Sequence, residues 1–174
     1  MTDMASAPPR ASIDSDTGPR FRTARWIALL LPAALLAGAW GSQLIGGLVP
    51  CEMCHWQRWP HYAALVLALS AFALPFRRAL VALAGVAIAV SGVIGVLHAG
   101  IEYHWWNGFT ACTSSVPKGL SADEMLRQIM AAPVIRCDAA QWRLVGISLA
   151  GWNAIFSLAG AAAIGWFLRP RFTR

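Results

Sequence analysis

The chain has 174 residues, of which 57% are hydrophobic and only 13% charged, with a formal net charge of +6. This length fits one domain, and the composition excludes an ordinary soluble helical protein, whose helices need a polar face. The basic excess does not mark a nucleic-acid binder either, because nine of the fourteen basic residues sit in three short places between long uncharged runs.

Residues 1–24 are rich in Pro, Ser, Ala and charge without periodicity, and are expected to form a disordered tail. Four charge-free runs follow, Trp26–Val49, Trp59–Phe76, Ala79–Ile101 and Leu144–Leu168, of 24, 18, 23 and 25 residues. A bilayer core about 30 Å thick needs about 20 apolar residues in a helix. Three runs meet that comfortably; the second does so only if its helix begins earlier, inside the segment Val49–Pro60. Ala37-Gly38-Ala39 matches a signal-peptidase pattern, but the apolar run continues through Trp40–Val49, as a full span requires. Gly38, Gly41 and Gly46 in the first run, and the Gly and Ala of the last two, favour close helix packing in lipid.

Arg10, Arg20, Arg22 and Arg25 precede the first run, Arg77 and Arg78 separate the second and third, and Arg169, Arg171 and Arg174 follow the fourth. In a four-pass chain all nine lie on one side, which the positive-inside rule makes cytoplasmic. Both termini are then inside. The loops at 50–58 and 102–143 face the other compartment, and they hold all four cysteines: Cys51 and Cys54 in the first, Cys112 and Cys137 in the second. An even cysteine count in an oxidising compartment is a disulfide signature. The second loop has a helix of its own: Ser121-Ala122-Asp123-Glu124 reads as a capping box, with Met125, Leu126, Ile129 and Met130 on one face and Pro133 behind. It either lies on the membrane surface or packs on the bundle mouth. The fold class is therefore all-α, an integral membrane four-helix bundle with two outer loops carrying cysteine pairs.

Cys51-Glu52-Met53-Cys54-His55 has the spacing of a redox dithiol and also of a covalent haem attachment. Haem would leave Cys112 and Cys137 without a role. A zinc site normally takes two close cysteine pairs, and here the second pair is 25 residues apart. No haem and no metal are expected. Purely structural disulfides explain the cysteine count but not the small ring that C-x-x-C closes, which restrains little unfolded-chain entropy. Nor do they explain Arg58, a charge at an apolar entry. A redox dithiol accounts for each feature. With a helix beginning near Cys54, its free N–H groups and dipole favour a thiolate there, and Arg58 lies on the same face. Pro60 either bends that helix or, if the helix starts at Trp59, occupies its first turn. The chain has no nucleotide or flavin fingerprint, so a lipid-soluble quinone is the fitting electron acceptor. His98, with Glu102 at i+4, is placed to hydrogen-bond a quinone carbonyl or to be an ordinary interhelical histidine. Trp56, Trp59, Trp105 and Trp106 either flank a quinone or, as the favoured reading, form an aromatic belt.

Pro50-Cys51-Glu52-Met53-Cys54 with Gln57-Arg58, Cys112 after Trp105-Trp106, and Cys137-Asp138-Ala139-Ala140-Gln141-Trp142 together resemble the disulfide bond formation protein B (DsbB) family. The resemblance covers nearly all of residues 25–168, leaving 169–174 as a second cytoplasmic tail. It implies a bacterial inner-membrane protein with periplasmic cysteines that reoxidises a soluble thioredoxin-like, DsbA-type oxidase and passes two electrons to ubiquinone or menaquinone. It also implies catalytic roles for Cys51, Cys54, Cys112 and Cys137. Cys112 would form the mixed disulfide with the partner and pair with Cys137, Cys54 would face the quinone, and Arg58 and His98 would contact it. His55 departs from the family pattern. The alternatives are an enzyme similar to vitamin K epoxide reductase, in which the C-x-x-C lies later in the chain, and a membrane scaffold with structural disulfides.

Overall fold

The computed structural model describes residues 18–108, 121–131 and 135–170. Its elements in chain order are α1 (Pro19–Leu44), α2 (Glu52–Ala73), α3 (Arg77–Glu102), α4 (Ala122–Ala131), the two-residue strands β1 (Arg143–Leu144) and β2 (Ile147–Ser148), and α5 (Leu149–Leu168). Among the described residues three helices, α1, α3 and α5, are long and apolar enough to cross a membrane. The chain is thus a mainly helical protein of membrane character. The expected second span, α2, has 22 residues, about 33 Å at 1.5 Å per residue. Its first three turns, however, carry Glu52, His55, Gln57, Arg58 and His61.

α1 begins earlier than expected. Pro19 sits in its first turn, where a missing N–H costs nothing, and Phe21 and Ala24 are buried in the core. Residues 19–24, expected within the tail, are therefore helical. At the other end α1 stops at Leu44 rather than running on to Val49, because Gly46-Gly47 follows and Gly47 takes a φ of +66°. α2 begins at Glu52, so Pro60 lies inside the helix.

The four long helices pack together, α3 chiefly against α2 and α5, and α1 against α2 and α5. Their core is built of small residues: Ala24, Ala28, Ala64, Ala68, Ala71 and Ala84, closed by Phe21, Val81, Ile88 and Ile164. Larger apolar side chains such as Val66, Leu69, Leu83, Val86 and Val93 point outward. This inside-small, outside-large arrangement suits lipid, where close packing rather than water exclusion drives helix association. The α3–α5 contact requires glycine. A Cβ on Gly95 would stand 3.0 Å from the Ala150 carbonyl oxygen, and one on Gly92 would stand 2.9 Å from the Leu158 side chain.

At the arginine-bearing end, Arg20 donates to the Trp166 carbonyl (2.7 Å) and Arg78 to the Leu168 carbonyl (2.8 Å). Both engage the last turn of α5, where the helix dipole favours a cation. At the opposite end α3 closes with a Schellman-type turn. His104 adopts φ 60°, and the Trp105 N–H reaches back to the Gly100 carbonyl at 2.8 Å. The Trp106 ring lies where a Gly100 Cβ would be, and its Nε1–H donates to the Leu97 carbonyl at 3.1 Å.

The β1–β2 hairpin was not expected. Val145 and Gly146 both have positive φ, +52° and +78°, as a two-residue primed turn requires. Tyr103 fastens it to the end of α3: its hydroxyl accepts from Ser148 N (2.8 Å) and donates to the Gly146 carbonyl (3.1 Å). α4 matches the expected loop helix. Ser121 Oγ accepts the Glu124 N–H at 3.3 Å, and Met125, Leu126 and Met130 are exposed.

Candidate functional site

The site is built on the start of α2. Cys51 occupies the N-cap position in place of the usual Ser or Asp, and its Sγ accepts the Cys54 N–H at 3.2 Å. The helix N-terminal donor expected to serve Cys54 therefore serves Cys51, because the helix starts at Glu52 rather than near Cys54. Both cysteines are free thiols, with their sulfurs 2.8 Å apart. The hydrogen-bonded Cys54 thiol and burial together push the Cys51 thiol up. His55, which completes the haem spacing, is exposed.

Cys137 reaches the same place from the other loop. It is disulfide-bonded and fully buried, in one cluster with Cys51, Met53 and Ile101, against which Cys54 also packs. Three features hold it there. Gln141 makes a reciprocal pair with Val49, accepting its N–H (3.1 Å) and donating to its carbonyl (2.6 Å). The Cys137 backbone hydrogen-bonds the His98 ring. Arg136 and Asp138, flanking Cys137, pair through two nitrogens, one bond being 2.8 Å. Arg136 holds the Asp138 carboxyl below its ordinary range, and Asp138 raises Arg136 in turn. Cys112, the fourth cysteine of the expected set, lies outside the described residues.

His98 lies beneath the dithiol. Its Nε2 is 3.5 Å from Cys51 Sγ and 3.7 Å from Glu102 Oε1, and its Nδ1 is 2.8 Å from Gln57 Nε2. Gln57 Oε1 accepts from Asn153 Nδ2 at 2.8 Å, which fixes the Gln57 amide and makes its nitrogen the donor to His98. His98 is therefore the Nε2–H tautomer, and that nitrogen faces Cys51 Sγ, Glu102 and the Cys137 backbone. Arg58, 8% exposed, is held by α1: Nη1 donates to Gln43 Oε1 (3.0 Å), Nη2 to the Ala39 carbonyl (3.3 Å), and the guanidinium lies 5.3 Å from the Trp40 ring.

Beside the dithiol is a cavity of about 250 Å3 between α1, α2 and α5. Cys54, Arg58, His61 and His98 line it from one side, and Leu35, Leu36, Ala150 and Phe156 from the other. Of the tryptophans considered from the sequence, none lines it: Trp56, Trp59, Trp105 and Trp106 are exposed as a belt would be, whereas Trp142 and Trp152 take part in the wall. The structure thus brings Cys51, Cys54, Cys137, Arg58 and His98 together. Sequence reasoning missed Gln57, His61 and Asn153 as members of the site. The signal was present, since polar side chains inside otherwise apolar spans are costly and usually functional.

Two kinds of ligand suit these groups differently. The two sulfurs and His98 Nε2 lie within 4.8 Å of one another, a donor set of the kind zinc uses. Thiolates on one zinc stand about 3.8 Å apart, given Zn–S near 2.3 Å, whereas the two sulfurs here are 2.8 Å apart. The cavity beside them has apolar walls, a fixed guanidinium and an adjacent sulfur, the features of a small-molecule site.

A mainly helical protein of membrane character that presents a buried dithiol, with a disulfide-bonded cysteine packed against it, belongs to the membrane thiol–disulfide proteins. The chain is a member of a particular family of these: residues 21–167 match the family model described as disulfide bond formation protein DsbB. It is 32% identical over 146 residues to disulfide bond formation protein B of Marinobacter nauticus, covering 77% of this chain and 85% of that protein. It is 29% identical over 161 residues to the protein of the same name from Neisseria meningitidis, covering 85% and 95%. An uncharacterized protein of Rickettsia prowazekii is 20% identical over 152 residues, covering 86% and 88%. No solved structure matches. Membership makes this a membrane protein of disulfide-bond formation, with disulfide oxidoreductase chemistry.

Proposed function

We propose that the protein reoxidises a soluble periplasmic thioredoxin-like oxidase of the DsbA type and delivers the electrons to a membrane quinone, ubiquinone or menaquinone. In this reading α2 is the fourth membrane crossing, both termini are cytoplasmic and the cysteines are periplasmic in a bacterial inner membrane. The placement of Arg20, Arg22, Arg25, Arg77, Arg78 and Arg169 at the end opposite the dithiol supports that orientation.

The observation that carries the reading is Cys137, disulfide-bonded and buried against Cys51 and Cys54. Electrons enter at the second loop, where a partner thiolate attacks Cys112 and releases Cys137 from their disulfide. The Cys137 thiolate then attacks Cys51 of an oxidised Cys51–Cys54 pair and releases Cys54 as a thiolate beside Arg58. Each step exchanges one S–S bond for another, so two electrons move inward without a change in the number of disulfides. Arg58 offers N–H donors and positive charge to a carbonyl oxygen. A bound quinone supplies a two-electron, two-proton sink. DsbA-type oxidases stand near −120 mV, and each further 30 mV towards the acceptor is worth about 1.4 kcal/mol for a two-electron couple.

The test is quinone reduction by purified protein supplied with a reduced thioredoxin-like donor. Cys51→Ser and Cys137→Ser should each abolish it. Full activity in both variants sinks the relay. All four cysteines should also cycle with quinone supply in alkylation trapping, whereas a scaffold with structural disulfides keeps them oxidised.

A further inference from the structure

One turn deeper than Arg58 on α2, His61 is buried, 3% exposed, and lines the same cavity. Its protonation is fixed by its neighbours. The Ser91 hydroxyl spends its single proton on the Gln57 carbonyl (2.8 Å), so at 2.9 Å from His61 Nε2 it can only accept. Asn153 Nδ2 donates to Gln57 Oε1, so Asn153 Oδ1, 3.0 Å from the same Nε2, is also an acceptor. Ser157 donates to that oxygen as well, at 3.2 Å. His61 Nε2 therefore carries the ring proton, shared between Ser91 and Asn153, and Nδ1 of the neutral ring is a bare lone pair. That atom is buried and has no hydrogen-bond partner among the described residues.

A lone pair needs a donor, and this distinguishes the two redox forms of the ligand. A quinone carbonyl has nothing to give. When the dithiol closes to a disulfide, its two electrons and two protons pass to the acceptor, whose oxygens then carry hydroxyls. We propose that His61 Nδ1 is a quinol-specific contact, accepting the O–H of the reduced product, so that this site holds quinol more tightly than its quinone contacts alone allow. The proposal rests on the quinone reading above and deepens it. Arg58, a pure donor, serves the oxidised form, and His61, one turn away, serves the reduced form.

The test uses purified full-length protein with Cys51 and Cys54 oxidised, so that neither ligand turns over. Short-chain ubiquinone and its quinol are titrated anaerobically, with tryptophan fluorescence as the readout. His61→Gln keeps a donor near the Nε2 position and loses the Nδ1 acceptor; His61→Asn keeps an acceptor near Nδ1 and loses the Nε2 donor. The quinol-to-quinone affinity ratio should fall about five- to tenfold in His61→Gln, the loss of one hydrogen bond, and stay within about twofold of wild type in His61→Asn. A structural role for His61 predicts the reverse order, because only the Gln variant preserves the link to Asn153. An unchanged ratio in His61→Gln, or an equal loss in both variants, overturns the inference while leaving the quinone reading intact. Wild-type protein that binds neither ligand sinks the quinone reading and this inference with it.

Discussion

Asn153 is the member of the buried network whose loss is most readily given a magnitude. Its amide donates to Gln57 Oε1 (2.8 Å) and Ser91 Oγ (3.2 Å) and accepts from His61 and Ser157. Asn153→Leu preserves volume and removes these four bonds together with a fifth, longer one to the Ser91 carbonyl (3.3 Å). His61 retains Ser91 as an acceptor, but Gln57 Oε1 is left buried without the donor that fixes it. One orphaned acceptor costs about 1–3 kcal/mol, and bonds between membrane helices average about 0.6 kcal/mol each. With two bonds lost outright beyond the orphan, the expected loss is about 2–4 kcal/mol. For a chain of this size that is a fall in melting temperature of about 5–15 °C. Circular dichroism melts in detergent would measure it. Adding Gln57→Leu should recover part of the loss, because the orphaned oxygen leaves with it, and a double-mutant cycle should show coupling of about 1–2 kcal/mol. A single-variant shift below about 3 °C, or strict additivity in the cycle, would refute the claim that these side chains form one network.

Three further outcomes follow from local geometry. Gly100→Ala should displace Trp106, since the ring occupies the Cβ position, costing about 1–3 kcal/mol and shifting the emission of that tryptophan; an unaltered spectrum would refute the packing. Tyr103→Phe removes both hydroxyl bonds to the hairpin, so amide exchange across 143–148 should accelerate while the long helices keep their protection. The Asp138 carboxyl is held below its usual range by Arg136, so its pairing stabilises the fold fully above about pH 4, the ordinary carboxylate value. That contribution is lost as pH falls through the lower native value. The pair is half exposed and worth at most about 1 kcal/mol, and in Asp138→Asn the acid-side stability profile should be correspondingly flatter.

The sequence displayed the bundle because lipid imposes a simple rule, and α1, α3 and α5 lie where uncharged runs placed them. Their ends were less legible. α1 ends at Gly46-Gly47 although the apolar run continues to Val49, since hydropathy does not register a backbone that turns. The cysteine motif identified the dithiol but not which sulfur the helix end would serve. That depended on Cys51 behaving as a capping residue, and so on where α2 begins. Arg58 and His98 were visible because charge and imidazole are conspicuous in an apolar setting. Gln57 was noted only as Arg58's neighbour in the motif, and His61 and Asn153 not at all, because a neutral polar side chain in a span becomes meaningful only once three helices bring such residues together. The Val145-Gly146 turn was missed for a related reason: a β-branched residue at positive φ runs against local preference, and Tyr103, 42 positions earlier, anchors the hairpin it closes.

The two arginines that grip the end of α5 have a consequence for the order of synthesis. Arg20 and Arg78 are made early, on α1 and at the start of α3, while the Trp166 and Leu168 carbonyls they hold are made 146 and 90 residues later. Both bonds can form only once α5 exists, so the packing of α1 and α3 at this end is completed by a helix made long after them.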